Sequence, residues 1–175
     1  MTTMPWKKLF LFCSGLAAGT AVCMKWLEAG FLTDNGKFTI LGLELFYSRE
    51  KVTGVLHSLT PEGLLVLRFH LGFDFAFMAG VYPGLAALCM IAAGKAGSPL
   101  LKRLLYLLAL LQLPAWVADG LENYYLLGWL ASPAIDSTDF AVYHGIVILK
   151  WVIALLALLM AAPVACRRKK RQQPG

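Results

Sequence analysis

FAVYHGIVILKWVIALLALLMAAPVACRRKKR occupies residues 140–171 and decides the class of this protein. It is a long apolar run, broken once by Lys150 and closed by a block of basic residues. A membrane-crossing helix needs about 20 mostly apolar residues. Three more stretches meet that length, so spans are expected at about 9–26, 64–93, 104–130 and 140–166. Of the 175 residues, 59% are hydrophobic and only 15% charged, with mean hydropathy +0.67. A soluble domain carries about 25% charged residues. The composition therefore excludes disorder, a coiled coil, a disulfide scaffold and an ordinary soluble enzyme. The expected fold is an all-α membrane protein, a four-transmembrane-helix bundle that fills residues 1–175 as one domain.

Charge placement gives an orientation. Lys7, Lys8, Lys95, Lys102, Arg103 and the run Arg167 to Arg171 fall on one side, with no acidic residue among them. The other side holds Lys25, Lys37, Arg49 and Lys51 against seven carboxylates. Excess Lys and Arg mark the cytoplasmic face, so both termini are expected there, with the protein in a bacterial inner membrane. The net charge of +6 is then a topology signal, and no nucleic-acid partner is expected. The basic tail at 167–175 serves as a stop-transfer anchor or touches anionic lipid. Lys7 and Lys8 ahead of an apolar run also fit a signal peptide, although Ala17-Ala18-Gly19 suits cleavage only loosely. Gly15 and Gly19 form a small-xxx-small face for close helix packing.

Cys13, Cys23, Cys89 and Cys166 form no CxxC pair, which argues against a disulfide framework and a thiol oxidoreductase. Cys166, beside the basic run, is inert or an S-palmitoylation site. The connection at 27–60 is too long to be a bare linker. Asp34-Asn35-Gly36 signals a turn, Lys37 to Tyr47 reads as a short strand or interfacial segment, and Ser48 can cap a helix over Arg49–Leu59. Its Val52, Val55, Leu56 and Leu59 follow helical spacing. The connection is expected to be an ordered cap over the outer mouth, with a flexible loop on the bilayer as the alternative. Thr60-Pro61-Glu62 is a helix start, and Gly80, Pro83, Gly84 and Pro114 predict kinks. Tyr124, Tyr125 and Trp129 fit an interfacial aromatic belt.

The informative residues are the charges inside the spans. Each costs about 2.5–3.5 kcal/mol on insertion scales and so faces the bundle interior. Arg68, Asp74, Asp119, Glu122 and Lys150 are joined by His70 and Asn123. At 1.5 Å per residue, all lie roughly 10–20 Å from the outer ends of their helices. Asp119, Glu122 and Asn123 share one face of span three, and His70 shares a face of span two with Asp74. Arg68 lies about 120° from Asp74 and either snorkels outward or meets another neighbour. Lys150 is expected to pair with Glu122 or Asp119, leaving one carboxylate in excess.

These seven residues form the candidate polar pocket. Its partner would be a small polar or cationic ligand, a lipid headgroup or a proton. No metal signature and no cofactor is read. An enzyme acting on a lipid or isoprenoid by Asp/Glu/His acid–base chemistry is an alternative. So is an accessory subunit of a larger membrane complex, in which the ion pairs only fix helix register. A homo-oligomer is compatible with all three. The pattern of Asp74 in span two, Asp119-Gly120-Leu121-Glu122-Asn123 in span three and Leu149-Lys150-Trp151 in span four resembles a group of small bacterial four-span membrane proteins. That resemblance implies the fold and attaches no activity. The chain departs from small multidrug transporters, which carry a key Glu in span one.

Overall fold

The computed structural model describes residues 6–167. The basic residues 168–171 and the rest of the tail lie outside the described residues. Four helices are long and apolar enough to cross a membrane: α1 (Trp6–Leu27), α3 (Pro61–Ala93), α4 (Pro99–Ala131) and α5 (Ser137–Ala165). α3 is the hub, because α1, α4 and α5 all pack along it, and α4 also packs on α5. α3 and α4 run unbroken through Pro83 and Pro114.

Local chemistry sets the helix starts. Thr60 Oγ1 accepts from the Gly63 amide at 3.0 Å, with Pro61 in the first turn. Asp136 accepts from the Thr138 amide at 2.7 Å and opens α5. That bond stabilises the ionised carboxylate and lowers the Asp136 pKa. At the other end, Lys95 Nζ donates to the carbonyl of Ala165, where α5 leaves carbonyls without helical partners.

α1 touches the bundle differently from the sequence expectation. Gly15 and Gly19 are exposed and have no neighbour within 4 Å of where a Cβ would stand. The close approach is made by α3 instead. A Cβ on Gly80 would meet the Ala17 amide nitrogen at 2.7 Å and the Cys13 carbonyl at 2.9 Å. A Cβ on Gly84 would stand 3.2 Å from the Cβ of Cys13. A small-xxx-small spacing identifies bare backbone but does not say which helix presents it.

The connection between α1 and α3 is ordered. A two-residue hairpin, β1 (Leu32–Thr33) and β2 (Gly36–Lys37), turns at Asp34-Asn35, with Gly36 at φ +118°. Of the short strand or interfacial segment read over 37–47, strand is formed only at Lys37, in β2. Residues 40–46 are helical instead and end in a π-helical turn over Gly42–Phe46. Apolar residues there contact the bundle around a helical turn, so their apparent alternation misled. α2 (Arg49–His57) begins at Ser48, whose hydroxyl accepts from the Lys51 amide at 3.3 Å. Val52, Val55 and Leu56 are buried as their spacing predicts. Phe31 and Phe38 stack at 4.7 Å beneath this cap.

Trp129 and Tyr125 pack inward on the bundle. Trp129 is buried, and both rings pack on Tyr143. Of the three residues assigned to the belt, Tyr124 alone is well exposed.

Candidate functional site

The site is built around one ammonium. Lys150 projects from the middle of α5 into the bundle and is buried. Its Nζ lies 2.5 Å from Asp119 Oδ1 and 2.5 Å from Glu122 Oε2, both on α4. The Asp119 contact is a charge-assisted hydrogen bond; the Glu122 contact is an ion pair without hydrogen-bond alignment. A third carboxylate comes from the cap: Glu44 Oε2 lies 3.7 Å from Nζ and accepts from Trp151 Nε1 at 3.0 Å. Burial pushes the Glu44 carboxyl above its ordinary range, and the nearby Lys150 charge and the Trp151 hydrogen bond only partly oppose this.

A second layer steadies the first. Tyr82 on α3 donates its hydroxyl to Asp119 Oδ2 at 2.8 Å, so Asp119 is held through both oxygens. Asn123 Nδ2 donates to Asp74 Oδ2 at 2.6 Å and links α4 to α3. Asp74 touches no cation among the described residues. His70 is only 1% exposed, yet neither ring nitrogen has a hydrogen-bond partner among the described residues. Its ring lies edge-on to Phe31. Buried polar atoms without partners are rare and call for an explanation.

A cavity of about 260 Å³ adjoins this cluster. Glu44, His70, Asp74, Tyr82, Asp119 and Lys150 face it, while Glu122 and Asn123 stand behind its wall. Six of the seven residues singled out from sequence thus gather in or directly behind one wall. The exception is Arg68, which is exposed, makes no ion pair among the described residues and does not line the cavity. Its helical phase carries it away from Asp74, so it neutralises nothing in the cluster. Sequence reasoning missed Glu44, Tyr82 and Trp151. Glu44 carried one signal, a lone acid inside the apolar run Ile40 to Phe46.

The balance of charge is therefore more acidic than the sequence suggested. Four carboxylates, Glu44, Asp74, Asp119 and Glu122, gather about Lys150, and the second lysine on the cavity lining, Lys25, is already paired with Glu28 at 2.5 Å. Buried charge left unpaired is costly, and the surplus demands protons or a bound cation. No group of three or more metal-ligating side chains is found among the described residues. Four long apolar helices and this buried polar cluster point to a membrane protein. No protein-family model, curated protein or solved structure matches the chain.

Proposed function

We propose that this is a multi-pass protein of a bacterial inner membrane, with both termini cytoplasmic, which binds a small cationic group or a proton in a pocket within the outer half of the bilayer. The observation that carries the reading is the surplus of buried carboxylates around Lys150 at the edge of an open cavity. Lys150 and Tyr82 hold Asp119, so Asp74 is the carboxylate left to meet a guest. The orientation is supported by Lys7, Lys8, Lys95, Lys102, Arg103 and Arg167, which all belong to the uncapped end.

Native mass spectrometry of gently solubilised protein tests the reading. Wild type should retain a small bound cation that the Asp74→Asn variant loses. Equal retention by both forms overturns it, and a protein bare in both removes the small cation and leaves only the proton.

A second reading is favoured by one specific contact. The Tyr82 hydroxyl, bonded to Asp119 beside Lys150, is a proton-carrying group at the cavity wall. With His70 it would suit acid–base chemistry on a lipid or isoprenoid. Turnover of extracted lipid that fails in Tyr82→Phe would favour this reading over binding alone.

A further inference from the structure

The cavity reaches from the cap residues Ile40, Leu41 and Glu44 to the space between α1 and α5. α1 leans on α3, and α5 on α3 and α4, so a cleft separates α1 from α5. Ala21 and Met24 form one lip of it, Trp151 and Ala154 the other. Ala21 is exposed, and so is Leu41 above it. Both lips belong to helices long and apolar enough to cross a membrane. In a bilayer the part of the cleft between these lips lies beside lipid, while the exposed Lys25, paired with Glu28, lines the cavity at the outer end of α1.

Inside, the wall chemistry is divided. Phe77, Val81 and Ala154 line the apolar part, while Asp74, Glu44 and His70, together with the Lys25–Glu28 ion pair, stand at the polar part. A ligand site of this kind uses apolar walls for burial and a few polar groups for orientation. An ammonium brings three N–H donors and no acceptor. Carboxylate oxygens meet two of these needs, and a neutral imidazole offers an acceptor nitrogen for the third. His70, buried and unpartnered at the wall, is an independent sign that a polar guest belongs there. A volume of about 260 Å³ is the space of roughly nine water molecules at about 30 Å³ each.

We infer that the guest is a lipophilic amine, one protonated nitrogen on a hydrocarbon body, which passes between α1 and α5 from the bilayer and sets its ammonium against Asp74, Glu44 and His70. This rests on the cation-binding reading above and adds to it the class of ligand and the route. A membrane-dissolved amine reaches the cleft between α1 and α5 directly from the bilayer. An anionic amphiphile of the same length would meet the carboxylate surplus and be rejected.

The test uses full-length protein in a non-ionic maltoside detergent, with thermal stability read against octylammonium, methylammonium and octyl sulfate. Octylammonium should raise Tm with an apparent Kd at least about tenfold below that of methylammonium, because its chain adds buried apolar surface. Octyl sulfate should not stabilise. Asp74→Asn should abolish both amine responses. Ala21→Trp, a change at an exposed position on the lip, should remove the octylammonium advantage. Equal affinity for the two amines overturns the lipophilic class while leaving the cation site standing. An unaltered octylammonium response in Ala21→Trp overturns the route. Stabilisation by octyl sulfate reduces the effect to surfactant binding and overturns the inference. No response to either amine sinks the cation-binding reading together with it.

Discussion

Glu44, in the connection between the first two long helices, places its carboxylate 3.7 Å from the ammonium of Lys150 near the middle of the last one. The contact ties the cap to the buried cluster, and the same oxygen accepts the indole N–H of Trp151. The cap therefore senses the charge state beneath it. Tyr143 reinforces the contact by donating its hydroxyl to the Leu43 carbonyl at 3.3 Å.

This coupling has a definite sign. Burial raises the Glu44 pKa above its value in an open chain, despite the lowering by Lys150. A raised carboxyl pKa means the docked cap holds a proton more tightly than the undocked one. Docking is then strongest below the ordinary Glu range and weakens as pH rises through the raised value. Hydrogen–deuterium exchange of residues 40–57 should become faster as pH rises through that window, after correction for intrinsic exchange rates. Glu44→Gln should flatten the dependence. An equal slope in wild type and Glu44→Gln would show that Glu44 does not carry it.

Removing the Lys150 ammonium should be costly. Lys150→Met leaves Asp119 and Glu122 facing each other across a buried gap that held an ammonium. Breaking a buried pair from one side typically costs about 3–5 kcal/mol. Adding Asp119→Asn to Lys150→Met should recover part of this loss, because one uncompensated carboxylate is gone. Detergent-denaturation curves of the single and double variants measure both steps. A Lys150→Met protein as stable as wild type would show that the cluster is already neutral without its lysine.

What was legible in the sequence follows from range. The lengths of the four helices, the Thr60 and Ser48 caps and the buried face of α2 depend on residues a turn apart. The gathering of Asp74, Asp119, Glu122 and Lys150 was legible for a different reason: charge inside an apolar span must face inward, and a shared depth makes the charges meet. Glu44 escaped because its role depends on how a loop folds back over α5, which no local period encodes. The partner of α1 escaped likewise. Gly15 and Gly19 have the spacing of a contact face, yet Gly80 and Gly84 make the contact. Tyr82 escaped because its acceptor, Asp119, lies on another helix.

The cap of α3 offers a smaller, local test. Thr60 Oγ1 satisfies the Gly63 amide, and Gly63 itself sits where a Cβ would stand 2.2 Å from the Leu32 carbonyl oxygen. The start of α3 is thereby fixed to the hairpin. Thr60→Ala should cost about 1 kcal/mol, and Thr60→Ser should restore most of it. Denaturation curves of the two variants beside wild type suffice. A Thr60→Ser protein no better than Thr60→Ala would mean that the methyl group, not the hydroxyl, matters.

The attachment of α1 is tested by two glycines of opposite environment. At Gly80 even a methyl group would press on the backbone of α1 at Ala17 and Cys13, where no side chain can move aside. Overfilling a packed contact costs about 1–3 kcal/mol, so Gly80→Ala should destabilise by that amount despite the better helix propensity of alanine. Gly15 has open space where the methyl would go, so Gly15→Ala should be neutral or slightly stabilising. Because α1 forms one lip of the cavity, Gly80→Ala should also widen the cleft and weaken amine binding more than Gly15→Ala does. Denaturation curves and the amine response of the two variants decide the matter. If Gly15→Ala is the more damaging change, α1 packs through its exposed face against a second chain, and the cleft beside it would be covered.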